Sequence, residues 1–193
     1  MLAFAGFAFA TSITPGPNNT MLLASGVNFG FRRTLPHIAG VNFGCVLMVV
    51  LVGFGLGGLF AAYPLLYAVL RWVGAAYLLV LAWHIANAGP IPGGAAGRRP
   101  MRFLHAAAFQ WVNPKAWVMV LGAVTTYAPR EDFFRNVLVI AAAFAAINLP
   151  SVAIWAGFGV ALRRVLDRPV RVRAFNVAMA LLLVFSLYPL LEN

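Results

Sequence analysis

Charge is scarce in this chain, and negative charge scarcest of all. Only 9% of its 193 residues are charged and 63% are hydrophobic, where a soluble domain carries about 25% charged residues. With a mean hydropathy of +0.89, the apolar runs are too long and too many for a soluble core. An all-α integral membrane protein is the expected class. The four acids, Glu131, Asp132, Asp167 and Glu192, lie between apolar runs or at the C-terminal end. No carboxylate is expected at mid-membrane, which removes a proton relay through buried Asp or Glu.

Cys45 is the single cysteine, so neither an intramolecular disulfide nor a cysteine metal cluster can form. Within an apolar run, it reads as a small packing residue. His37, His84 and His105 fall near span ends and lack metal-ligand spacing, so interfacial roles are expected for them and no metal is implied. A phosphate-cradling Gly-Lys-Ser/Thr motif is also missing, which argues against ATP hydrolysis. No cofactor and no enzyme chemistry follow from these residues.

What is abundant is arginine between hydrophobic stretches. Fourteen basic residues give a net charge of +10, but they sit in short clusters between apolar spans. That placement fits lipid headgroups and the positive-inside rule, not nucleic acid. Ala8-Phe9-Ala10 has the small residues of a cleavage site, but Leu2 to Phe9 holds no charged n-region. The N-terminal stretch is therefore read as retained.

Hydropathy places six spans near residues 2–29, 36–61, 65–88, 103–128, 132–162 and 172–191. The first is interrupted by Thr14-Pro15-Gly16-Pro17-Asn18 and the fourth by Asn113-Pro114-Lys115. Proline removes a backbone donor and clashes with the preceding turn, so both spans should be broken at mid-membrane. Backbone freed in hydrocarbon needs protein or a water-lined cavity, which makes each break a candidate binding site. Asn148 precedes Pro150, a third place where a helix could distort.

The Gly/Pro-rich, basic stretch 89–102 divides the single transmembrane domain into 1–88 and 103–193. Three spans per half is an odd number, so homologous halves would cross the membrane in opposite senses. Paired breaks in corresponding spans are the sequence mark of an inverted-repeat transporter with its site at the repeat interface. Loops after spans one, three and five hold Arg32, Arg33, Arg98, Arg99, Arg102, Arg163, Arg164, Arg168, Arg171 and Arg173. The other loops hold Arg71, Arg130 and Arg135. The richer side faces the cytoplasm, which places both termini in the periplasm.

Lys115 is the one charged side chain expected deep in a span. A lysine there costs roughly 2.5–3.5 kcal/mol on insertion scales and so faces a cavity or partner, unless it snorkels to an interface. Asn18 and Asn113 adjoin the breaks, where helix-end N–H groups attract a carboxylate. Asn19, Asn42, Gln110 and Asn148 add neutral polar groups, each able to serve as ligand or as glue between helices. Gly40-x-x-x-Gly44 and Gly53-x-x-x-Gly57 read as close helix packing. The expected substrate site is Thr14, Pro15, Gly16, Pro17, Asn18, Asn42, Asn113, Pro114, Lys115 and Asn148.

Thr14-Pro15-Gly16-Pro17-Asn18, Gly30-Phe31-Arg32, Gly74-Ala75-Ala76-Tyr77-Leu78 and Asn113-Pro114-Lys115-Ala116 together resemble the lysine exporter superfamily. These are small bacterial amino-acid efflux proteins that include homoserine/threonine exporters. The resemblance covers essentially the whole chain, and Thr-Pro-Gly-Pro-Asn-Asn is similar to the cysteine/O-acetylserine branch. It implies a multi-pass inner-membrane exporter of amino acids or close derivatives, driven by proton exchange. With no membrane carboxylate, coupling would fall to Lys115, a histidine or the substrate, or export would be uncoupled. Pairing as a homodimer is expected of apolar six-span proteins of this size. An ion exporter or channel on the same scaffold, a membrane-embedded enzyme and a pocketless helper subunit stay open as other classes.

Overall fold

The computed structural model describes residues 1–56, 62–87, 99–129, 131–166 and 168–188. Arg98, Arg130, Asp167, Glu192, Gly57 and most of the expected connection 89–102 lie outside these residues. Eight α-helices are described among them: α1 Leu2–Ile13, α2 Pro17–Phe29, α3 Phe31–Leu51, α4 Pro64–Ala86, α5 Phe103–Phe109, α6 Pro114–Tyr127, α7 Phe133–Arg163 and α8 Pro169–Phe185. A π-helical turn, Val52–Leu56, extends α3, and a 3-10 turn, Gln110–Val112, extends α5. Phe31–Gly55 and Phe133–Arg163 are long and apolar enough to cross a membrane, and Leu2–Ile13 and Trp72–Ala86 are shorter apolar helices.

The two breaks share one chemistry. A residue before proline is pushed out of the helical region. Thr14, before Pro15, is extended (φ −67°, ψ 149°), and so is Gly16, before Pro17 (φ 174°, ψ 177°). Asn113, before Pro114, is extended as well (φ −90°, ψ 110°). Pro17 and Pro114 then open new helices, where a missing N–H costs nothing. Each broken span is thus a helix, an X–Pro kink and a second helix begun by proline.

Other sequence expectations shift. The second span starts at Phe31 instead of residue 36, because Gly30 alone makes the turn at φ 79°, a conformation glycine adopts without strain. Arg32 and Arg33 therefore lie on the first turn of α3, and His37 lies inside it. Likewise Arg171 and Arg173 belong to α8. Pro150 does not break α7, which runs through it. Beside it the Ser151 hydroxyl donates to the Ile147 carbonyl at 2.7 Å.

The helices interlock. α7 packs on α1, α2 and α3, α3 also packs on α5, and α4 pairs with α8. At the α2–α7 crossing, a Cβ on Gly26 would strike the Ala156 carbonyl, and one on Gly159 would strike the Leu23 carbonyl. Gly40 and Gly44 bring α3 equally close to the Phe103 and Ala107 backbone of α5. One apolar cluster joins Phe4, Cys45, Trp117 and Phe144; another joins Met21, Leu78, Phe109 and Leu183. Large apolar side chains also face outward, with Trp83 70%, Leu104 73% and Phe185 73% exposed. A surface of that kind suits lipid, not water.

Candidate functional site

The break at Thr14–Gly16 frees the carbonyls that end α1, and every one finds a donor. Thr14 Oγ1 donates to the Thr11 carbonyl at 3.1 Å. Asn19 Nδ2 donates to the Ser12 and Thr14 carbonyls at 2.8 and 2.7 Å. Trp155 Nε1 reaches across from α7 to the Ile13 carbonyl at 3.0 Å. Lys115 Nζ donates to the Thr14 carbonyl at 2.6 Å, to Thr14 Oγ1 at 3.0 Å and to the Pro15 carbonyl at 3.1 Å. The Gly16 carbonyl takes the Thr20 N–H at 2.9 Å. Thr14 and Pro15 are exposed, yet their carbonyls take donors from the protein itself.

Lys115 joins the two breaks. It stands on the first turn of α6, just beyond the second break, and its ammonium sits at the C-terminal end of α1, where the helix dipole is negative. Gly16 makes the approach possible: a Cβ there would lie 2.6 Å from Lys115 Cδ and 3.1 Å from Nζ. Asn113 caps α6, its Oδ1 accepting from the Lys115 backbone N–H at 3.2 Å.

A second link is a reciprocal amide pair. Asn18 Nδ2 donates to Gln110 Oε1 at 2.8 Å, and Gln110 Nε2 donates to Asn18 Oδ1 at 3.1 Å. Gln110 is fully buried and also donates to the Ala106 carbonyl, while the Cys45 thiol approaches its Oε1 at 3.4 Å. Cys45 thus packs beside polar groups as well as apolar ones.

The donors at the start of α2 are treated differently. Gly16 precedes α2 without any side-chain cap. Pro17 has no N–H, which leaves the amides of Asn18 and Asn19 as helix-end donors. Next to them lies a cavity of about 20 Å³, lined by Ser12, Asn18, Asn19, Cys45, Lys115 and Asn148 among others. The buried Ser12 hydroxyl has no partner. A void of that size holds about one water. The site is closed around a single small polar space.

The structure therefore gathers Thr14, Pro15, Gly16, Pro17, Asn18, Asn113, Pro114 and Lys115 into one junction. Asn42 and Asn148 meet each other, with Asn148 Nδ2 donating to Asn42 Oδ1 at 2.9 Å between α3 and α7, and Asn148 also lines the small cavity. Trp155 and the Asn28–Asn176 pair (3.0 Å) carry polar contacts, and Ser12 an unpartnered hydroxyl, that no spacing in the sequence singled out. The one signal for Ser12 was its place one turn before a proline break.

The sequence profile of the family described as LysE type translocator matches residues 9–191. Cysteine/O-acetylserine efflux proteins of Salmonella typhimurium strain LT2 and Salmonella choleraesuis are 31% identical over 184 residues, 95% of this chain and 93% of each relative. The cysteine/O-acetylserine efflux protein of Escherichia coli K12 is 30% identical over the same coverage. No solved structure matches.

Proposed function

The chain belongs to the LysE type translocator family of membrane transport proteins, and we propose that it exports small amino acids or close derivatives from the cytoplasm by alternating access. Cysteine and O-acetylserine, named for its relatives, are the first substrates to consider. The working parts are two inverted three-span halves, residues 1–88 and 103–193, joined by 89–102. They sit in the bacterial inner membrane with both termini periplasmic. Supporting this are the matching X–Pro breaks that open the two halves, the pairing of α3 with α7 and α4 with α8, and the excess of arginine in the odd loops.

The observation that carries the reading is Lys115 held by the carbonyls of the opposite break. A zwitterion can replace both sides of that contact. Its carboxylate would take Lys115 Nζ, the Ser12 hydroxyl and the open N–H groups at the start of α2, where a helix end favours an anion. Its ammonium would take the Thr14 and Pro15 carbonyls that Lys115 releases. Substrate would thus exchange one set of contacts for another without stranding a buried charge. Asn18, Asn42, Asn113 and Asn148 supply the neutral polar wall. Proton exchange drives the cycle, and Lys115 is the basic group at this junction able to carry it.

Counterflow in proteoliposomes tests the reading. L-cysteine, O-acetyl-L-serine and a panel of small amino acids would be screened with and without an imposed pH gradient. Saturable counterflow of a small zwitterion, with net flux that follows the pH gradient, is expected. Folded, reconstituted protein that moves no amino acid would contradict it.

A further inference from the structure

A second, larger cavity of about 840 Å³ opens at the other end of α2, between α2, α3, α4 and the start of α5. Its volume lies within the range of small-molecule sites, about 300–1,000 Å³. His37 lines it, is 2% exposed, and has no hydrogen-bond partner on either ring nitrogen. Its polar neighbours on the same wall are satisfied. Ser25 and Thr34 share a hydrogen bond at 2.8 Å, and Asn28 donates to the Ala24 carbonyl at 2.7 Å and to Asn176 at 3.0 Å. A buried polar group left unpaired costs about 1–3 kcal/mol, so an orphan imidazole in the cavity wall, its ring nitrogens sealed from the open space, calls for a ligand that displaces what covers it.

The lining gives the ligand's chemistry. Arg99, Arg102, His84 and His105 line the cavity and are exposed. No described lining residue is acidic. Such a surface draws oxyanions by its field. A neutral imidazole has one donor and one acceptor, so His37 can give an N–H to a carboxylate oxygen and accept from an adjacent ammonium. The cavity also leads toward the break: Met21 lines it and Asn18 lines the small cavity, three residues apart on α2, about 4.5 Å along the axis. Met21 there belongs to the buried apolar cluster with Leu78 and Phe109.

We propose that this cavity is an intake site for the carboxylate of the amino acid, with His37 as its binding residue, reached before the Lys115 junction. The proposal rests on the export reading and on the arginine-rich side being cytoplasmic. The shared chemistry is an oxyanion, and a lipid phosphate is the competing source.

The test uses the full chain in phosphatidylcholine nanodiscs with ¹⁵N-labelled imidazole rings, the three histidines being assigned with His84→Gln and His105→Gln. Glycine and acetate should shift the His37 ring signal saturably, and methylammonium should not. Glycine should bind His37→Phe about 10- to 150-fold more weakly, the loss expected for one hydrogen bond to a charged group, with partial recovery in His37→Gln. A His37 signal unmoved by glycine and acetate overturns the proposal, and needs no variant to fold. So does a signal that moves only when phosphatidylglycerol is added to the discs, which assigns the site to a lipid headgroup. Wild-type counterflow separates the two readings. Counterflow with an unmoved His37 sinks the intake site alone, and a shifted His37 without any counterflow sinks the exporter reading.

Discussion

Lys115 Nζ lies 2.6 Å from the carbonyl oxygen of Thr14, a residue 101 positions earlier in the chain. The contact joins the first turn after one proline break to the last turn before the other. It neutralises the negative end of α1 and holds the lone span lysine without any carboxylate. The functional consequences come from how that arrangement can be undone.

Gly16→Ala should disturb this contact selectively. Gly16 is extended, a conformation alanine adopts freely, so backbone strain plays no part. The added Cβ would meet Lys115 Cδ at 2.6 Å and push the ammonium off Pro15. Counterflow should fall by about 10- to 150-fold, the range that goes with a charge-assisted hydrogen bond of about 1.5–3 kcal/mol, while membrane insertion is unchanged. Wild-type transport by the purified variant would show that the approach of Lys115 to Gly16 is dispensable.

The Asn18–Gln110 pair should show coupling in a double-mutant cycle. Two reciprocal bonds at 2.8 and 3.1 Å join the breaks. Hydrogen bonds between membrane helices couple by about 0.6 kcal/mol on average and about 1.7 at most. Asn18→Ala, Gln110→Ala and the double variant, unfolded in mixed micelles, should give a coupling within that range. Simple additivity would mean that the pair contributes no joint stability.

Trp155→Phe should cost about 1–3 kcal/mol, because it keeps an aromatic side chain, though a smaller one, and leaves the Ile13 carbonyl without its donor. The same unfolding titration measures it. A Trp155→Phe protein as stable as the wild type would mean that another donor reaches that carbonyl.

Gly26→Ala and Gly159→Ala should each destabilise the fold by about 1–3 kcal/mol, the usual cost of overpacking. The obstacle in both is backbone carbonyl oxygen at the α2–α7 crossing, Ala156 for one and Leu23 for the other, so no side chain can move aside. Since both force the same separation, the double variant should lose less than the sum. Full additivity would argue against a shared crossing.

The helix breaks at Thr14–Gly16 and Asn113 were legible because proline acts locally. Pro15, Pro17 and Pro114 constrain their own neighbours whatever surrounds them. Pro150 is the exception: Leu149 stays helical and α7 runs through it, held by its packing on α1, α2 and α3. Tertiary partners were not legible. His37 was expected at an interface, and only the Gly30 turn, which starts α3 early, carries it inside. Asn148 was singled out for its proline, but its amide goes to Asn42. Nothing in the sequence tells Trp155 that Ile13 is waiting, since that pairing exists only after α7 crosses α1.

Counterflow by Lys115→Ala, measured beside wild type with the amino acid that the wild type carries best, bears most directly on the proposal that the two breaks and their lysine form the transport site. Equal reconstitution of both proteins would be verified first. Counterflow should disappear, or persist without any response to a pH gradient, in a protein that still inserts and folds. Lys115→Ala transport at the wild-type rate with the wild-type pH response would remove Lys115 from the site and, with it, the exchange proposed at the Thr14–Pro15 carbonyls.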